Sequence, residues 1–139
     1  MDQWAGYDAG RRRLLQFMKD QSVANPIVLT GDIHTNWVND LMIDFDDESA
    51  PTVASEFVGT SISSGGDGSQ RSEFAKAIKA DNPFVKFFNS ERGYVRCEVT
   101  PDRWQSDYRV TPIVSKPESE CLTRASFAIE DGKPGAQRV

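Results

Sequence analysis

Asp32 and His34, two side chains able to hold a metal or move a proton, stand two residues apart in the stretch Pro26-Ile27-Val28-Leu29-Thr30-Gly31-Asp32-Ile33-His34-Thr35-Asn36-Trp37. His34 is the only histidine in the chain. In extended backbone, residues i and i+2 point to the same face. A carboxylate and an imidazole on one face can both ligate a cation such as iron, zinc or manganese. The imidazole alone could instead act as an acid or base near neutral pH. Asn36 continues that face with an amide oxygen, and Gly31 lets the backbone turn and bring the donors close. The structural alternative is a strand-end aspartate capping a loop, beside a histidine satisfied by a hydrogen bond. Two donors are half a metal site, because hard and borderline cations take about four to six.

Other candidates are weaker. Asp44, Asp46, Asp47 and Glu48 read as a solvated acidic turn, and Asp67 as a minor further ligand on the glycine-rich loop Ser63-Ser64-Gly65-Gly66-Asp67-Gly68-Ser69. That loop could approach a ligand by its backbone or simply connect two elements at the surface. A serine nucleophile on a Gly-x-Ser-x-Gly turn is missing, as is a phosphate-binding loop ending in Gly-Lys-Ser or Gly-Lys-Thr. Cys97 reads as a small core residue of a strand. Cys97 and Cys121 make no metal-type cluster. A disulfide between them is open, because sequence does not set their separation.

The elements that must position Asp32 and His34 follow from periodicity. Leu14, Leu15, Phe17 and Met18 form an apolar stripe, which predicts a helix over Ala9–Gln21 with Asp8 as N-cap. Arg11, Arg12 and Arg13 on it are read as a solvated face, or else as a source of one phosphate or carboxylate contact. Asn25-Pro26 ends the connection, because proline disfavours helix in the residue before it. Ile27-Val28-Leu29 then reads as a buried strand running into the polar loop, and ligands bind at the carboxyl ends of such strands in α/β folds. Alternation predicts a strand over Leu41–Phe45, and Val53–Ile62 reads as its antiparallel partner. A helix is expected over Ser72–Lys79, ended by Asn82-Pro83, and Phe84, Val85, Phe87 and Phe88 read as core. Gly93–Thr100 and Trp104–Val110 form a predicted hairpin around Thr100-Pro101-Asp102-Arg103. Thr111–Glu120 is read as a surface linker, and Arg124–Ile129 as a last strand before the turn Asp131-Gly132 and a tail. The sum is a mixed α/β (α+β) chain, mainly antiparallel in its sheets.

The length of 139 residues is that of one ordinary domain. A net charge of −5 argues against a general nucleic-acid binder, which shows a basic face. A metal-dependent enzyme is not excluded, since bound cations offset acidic charge. No apolar run is long enough to span a membrane. Met1–Tyr7 lacks the basic region and apolar core of a signal peptide. A helix leading straight into a strand that needs neighbours on both sides points to a fragment of something larger.

The residues now carry a resemblance. Val28-Leu29-Thr30-Gly31-Asp32-Ile33-His34-Thr35-Asn36-Trp37 resembles the last metal-site motif of PhoD-type alkaline phosphatases, a branch of the calcineurin-like metallophosphoesterases. Trp4-Ala5-Gly6-Tyr7 and the arginine-rich helix to Phe17 are similar to the segment before that motif. Glu56-Phe57-Val58-Gly59-Thr60-Ser61-Ile62-Ser63-Ser64-Gly65-Gly66 is similar to the family's strand and glycine loop. Asn82-Pro83, Lys86-Phe87-Phe88-Asn89, Arg92-Gly93-Tyr94 and the hairpin through Trp104 and Tyr108 also follow its pattern. The likeness covers nearly the whole chain, and the motifs are specific in combination.

The resemblance implies the C-terminal part of a four-layer αββα metallophosphoesterase sandwich spanning residues 1–139. It implies hydrolysis of phosphomonoesters and phosphodiesters at alkaline pH with iron (Fe3+) and calcium (Ca2+), other divalent metals being an option. Asp32 matches a metal-ligand position. His34 matches the site histidine, as a metal ligand or a phosphate-contacting acid. The wider superfamily has histidine where this chain has Asp32, and the harder oxygen ligand suits calcium better. Family members often carry histidine after Asn-Pro, where this chain has Phe84. The earlier motifs that supply most of the ligands lie upstream, so Met1 is read as an internal methionine or an artificial start, and the isolated residues as inactive. A secreted, periplasmic or extracellular parent is implied, with phosphate esters as partners and neither nucleic-acid-specific binding nor a membrane span. The alternative is a non-catalytic, β-rich binding domain that retains the scaffold.

Overall fold

The computed structural model describes residues 3–47 and 49–139. Met1 and Glu48, read above as an internal start and as part of an acidic turn, lie outside the described residues.

A short 3-10 helix (Trp4–Gly6) leads into α1 (Asp8–Asp20). Then come β1 (Ile27–Thr30), β2 (Asn36–Leu41), β3 (Ala54–Val58), α2 (Ser72–Asp81) and β4 (Val85–Asn89), followed by β5 (Arg92–Val99), β6 (Arg103–Thr111), β7 (Leu122–Glu130) and β8 (Gln137–Arg138). The strands make two four-stranded sheets, ordered β1-β3-β2-β4 and β5-β6-β7-β8. The second is antiparallel throughout. In the first, β2 pairs antiparallel with β3 and β4, while β1 lies parallel to β3. The mixed α/β character and the largely antiparallel pairing are those expected.

The period of two sorts β2 into its faces. Val38 turns inward and joins Phe57 of β3 in one cluster with Tyr108, Ala125, Phe127 and Ile129 of the second sheet. Leu41, one strand position out of phase, turns to the other face and packs with Ala54 and with Leu15 of α1. Leu15 is fully buried, which stabilises the docked helix by roughly 2 kcal/mol. On that same outer face Phe74 of α2 meets Phe88 of β4, with ring centroids 5.1 Å apart, and Phe88 in turn meets Trp37 at 4.5 Å. The layers therefore run helices, first sheet, second sheet. Tyr108 ties the sheets by a hydrogen bond from its hydroxyl to the Trp37 carbonyl, and burial raises its pKa above the ordinary value.

Four expectations are corrected. The strand expected over Leu41–Phe45 lies at Asn36–Leu41 instead. Its inward positions include Asn36 and Asp40, so it carries no apolar alternation to find. Ile43 and Phe45 pack beside α1 from the following loop. The strand read as buried, β1, is an edge strand that among the described residues pairs with β3 alone, and its Leu29 is 58% exposed. Asp8 is not the N-cap of α1; that position is Tyr7. Asp8 sits in the first turn, where its carboxylate accepts from Arg11 at 2.5 Å and Arg12 at 2.8 Å. These pairs, with Arg11 over the Phe45 ring at 4.7 Å, engage two of the three arginines. Finally, the tail after Gly132 contributes β8, held by the Ala136 amide donating to buried Asp40 at 3.0 Å.

The chain passes from one sheet to the other between β4 and β5, at Ser90 and Glu91. Glu91 is 3% exposed, and Arg124 of β7 grips it by two hydrogen bonds, 2.6 and 2.7 Å. Its second support is the Asn89 amide, which donates to Glu91 Oε2 at 2.7 Å. Removing one partner of such a pair strands the other. We expect Glu91→Ala to lower unfolding stability by about 3 kcal/mol, less than for a wholly buried pair because Arg124 reaches solvent. Glu91→Gln is expected to lie between it and wild type. Urea denaturation measures both.

Candidate functional site

The carboxyl ends of β1 and β3 lie side by side, joined by the Gly59 amide donating to the Thr30 carbonyl at 3.0 Å. The loops that leave them, 31–35 and 59–69, are the two walls of the candidate site, and the corner at residues 90–92 hydrogen-bonds to both.

Asp32 and His34 both lie exposed on the first loop. The geometry expected of them is corrected here. They are not in extended backbone: φ is +67° at Asp32 and +58° at His34, with Ile33 between them donating its amide to the Gly31 carbonyl at 2.9 Å. Left-handed backbone is uncommon outside glycine, and Asn, Asp and His are the residue types that enter it most readily. The loop thus carries two residues in strained conformations whose side chains are also metal-type donors. Strain of this kind concentrates at functional sites.

Asn36 does not join them. It is 1% exposed, and its amide oxygen accepts from the Thr60 amide at 3.1 Å while its NH2 donates to Asn89 at 3.2 Å and to the Glu91 carbonyl at 3.3 Å. It is a strut between the two loops and the corner. Asp67 is likewise engaged: it accepts from the Val114 amide at 2.7 Å, the Ser115 amide at 2.9 Å and the Ser115 hydroxyl at 2.7 Å. Asp44 accepts from the Asp46 amide at 3.1 Å and from Arg12 at 3.4 Å, as suits a surface turn. Among the described residues, no three His, Cys, Asp or Glu side chains gather to hold a metal ion. Asp32 and His34 would offer one hard and one borderline donor, a set that fits a share of an iron or calcium site and not a whole one.

The glycine loop is docked on the corner. Gly68 lies so close to Ser90 that a Cβ would stand 1.8 Å from its carbonyl oxygen. Ser90 donates both its amide and its hydroxyl to the Ser69 carbonyl, at 3.0 and 2.9 Å. Asn89, Glu91, Arg92 and Arg124, which hold this end of the molecule together, carry no signal by residue type alone. Asn89 and Arg92 fall in two of the motifs that carry the family resemblance. Glu91 and Arg124 leave no local signal, because their pairing spans two sheets. Phe84, in the place where family members often carry histidine, is half-buried and meets Phe45 edge-on at 4.8 Å. Cys97 and Cys121 are both free and exposed, which corrects the reading of Cys97 as a core residue; the Cys97 sulfur lies 3.6 Å from the Ser106 hydroxyl.

Two facing sheets under a layer of helices define an α/β sandwich, with a donor-bearing loop at the end of a parallel strand. The PhoD-like phosphatase family matches residues 1–108, and the chain belongs to that family. It is 45% identical over its whole length to alkaline phosphatase D of Bacillus subtilis (strain 168), of which it covers 24%. A solved structure described as the structure of PhoD superposes on 99% of the chain with a TM-score of 0.90 and 45% identity, and the chain covers 26% of it. The chain thus spans about a quarter of the length of the relatives it matches, and its fold is a portion of theirs. Among the described residues no helix is long and apolar enough to cross a membrane.

Asp67 links the glycine loop to the linker after β6. The Ser115 hydroxyl first, and then the Ser115 and Val114 amides, hold its carboxyl below the ordinary range. A depressed folded value keeps the contact intact above the ordinary carboxylate range and through it, and releases it only as pH falls through the depressed value. Hydrogen exchange at the Val114 and Ser115 amides, corrected for intrinsic rate, is therefore expected to stay flat from neutral pH to about pH 4 and to accelerate below it. Asp67→Asn is expected to show the faster exchange already at neutral pH.

Proposed function

We propose that the chain is the C-terminal portion of a metal-dependent phosphoester hydrolase, an exported alkaline phosphatase acting on phosphomonoesters and phosphodiesters. Asp32 and His34 are its contribution to the site. The observation that carries this reading is the pairing of two metal-type donors with left-handed backbone on one loop at a strand end, in a chain that belongs to the PhoD-like phosphatases. In this reading Asp32 and His34 would hold iron or calcium, which when bound supplies a Lewis acid to the phosphoryl oxygens. Asp32 contributes a hard anionic oxygen. His34 contributes a ring nitrogen, either as a ligand or as the group that passes a proton to the departing alkoxide. The Gly31 turn and the Ile33–Gly31 hydrogen bond fix the loop before substrate arrives, so little ordering is left to accompany binding.

The family's other ligand motifs are expected on residues upstream of this segment, and the reading frame preceding it should encode Asp- and Asn-bearing loops at strand ends. In the full-length enzyme, Asp32→Ala and His34→Ala should each lower kcat/KM for a nitrophenyl phosphate ester by more than about 100-fold, since even outer-shell partners of metal ligands cost 10–100-fold. Each should also lower bound iron or calcium, read by elemental analysis. Unchanged activity and metal content in both variants would remove the assignment. The isolated 139 residues should show no turnover, and metal-dependent hydrolysis by them alone would sink the division of the site proposed here.

A further inference from the structure

We propose that Arg92 is a positioning residue that clamps the Asp32–His34 loop to the glycine loop, and so sets the two walls of the site at a fixed separation. Its role in catalysis rests on the reading of Asp32 and His34 given above; the clamp itself does not. Arg92 is the first residue of β5 and is 8% exposed. Its Nη1 donates to the His34 carbonyl at 2.7 Å, and its Nε donates to the Gly66 carbonyl at 2.7 Å. Nη1 also lies 3.5 Å from the Thr60 hydroxyl, at the root of the second loop.

One planar group therefore takes a backbone acceptor from each wall. The carbonyl it takes from the first wall belongs to one of the two left-handed donor residues. The base of the side chain is held as firmly as its tip. Glu91 before it is gripped by Arg124, and the Gly93 amide after it donates to the Ser61 carbonyl at 3.1 Å. The adjacent carboxylate thus goes to Arg124, leaving the Arg92 fork to neutral carbonyls. Gly65 stands against it, where a Cβ would meet Nη2 at 3.2 Å.

A lysine keeps the charge but not the fork. An ammonium on a flexible stem lacks the rigid planar array of donors that reaches two fixed acceptors at once. The test uses hydrogen exchange in the 139-residue chain and kinetics in the full-length enzyme. In Arg92→Ala, the amides of Ile33 and Gly66, each in a hydrogen bond within its own loop, should exchange at least about tenfold faster together. Amides of β6 and β7 should keep their protection. Arg92→Lys carries the same expectation and serves where Arg92→Ala does not fold. In the full-length enzyme, both variants should lose about tenfold or more in kcat with KM changed by less than about twofold, as misplacement of a catalytic group predicts.

Acceleration in one loop or in neither would overturn the clamp. So would wild-type exchange in Arg92→Lys, which would make the charge and not the fork the active feature. A raised KM with kcat intact would make Arg92 a substrate contact instead, and would also overturn it. Loss of coupled protection in a chain whose Asp32 and His34 variants leave the enzyme's activity unchanged would uphold the clamp while removing the proposed site.

Discussion

A buried carboxylate at the turn between two sheets is expensive to desolvate and is tolerated only when its lone pairs are met. Glu91 meets that condition with two bonds from Arg124 and one from Asn89. Asn89 is itself bonded to Asn36, and Asn36 to the Thr60 amide. The chain of bonds starts in the second sheet, crosses the corner, and ends at the root of the loop that follows β3. Such networks specify geometry because a partly satisfied one is worse than none. The apolar cluster of Val38, Phe57, Tyr108 and Phe127 drives the sheets together, but a non-directional force would tolerate sliding. The polar chain fixes which residue of one sheet faces which residue of the other.

The division of labour along β2 follows from that. Its inward face carries Asn36 at one end and Asp40 at the other, with Val38 between them. Asn36 serves the site end, while Asp40 holds the tail through the Ala136 amide and pairs with Lys86 at 3.1 Å. A central strand has given two of its inward positions to polar anchors. The helices supply the hydrophobic burial it forgoes there, through Leu15 against Leu41 and Phe74 against Phe88.

The same economy explains what could be read from sequence. The helix over 9–21 and the hairpin turning at Thr100–Arg103 are legible in the sequence, because each is set by local periodicity or turn chemistry. The strand around Phe57 is legible too, but its antiparallel partner is Asn36–Leu41 and not Leu41–Phe45. The strand at Asn36–Leu41 is hidden from periodicity because its Asn36 answers to partners 53 and 55 positions away. Asp32 and His34 stood out by type and spacing, yet their shared face was inferred from an extended backbone they do not have. Arg92 enters the family resemblance through Arg92-Gly93-Tyr94, but as a lone arginine at a strand start it carries no sign of its role. Its meaning depends on two carbonyls, and a carbonyl is the one functional group that every residue has.

That left-handed backbone separates the shape of the loop from its chemistry. Asparagine enters the same φ region about as readily as aspartate or histidine, while a β-branched residue there would break the turn. Replacement of Asp32 or His34 by asparagine would therefore leave the loop standing and remove its charge or its titratable ring. In sequence drift, such a site can fall silent without the fold registering the loss. Under the role proposed for Asp32 and His34, preservation of the sandwich among related chains is thus no guarantee of activity, and the side chains at these two positions would carry that information instead.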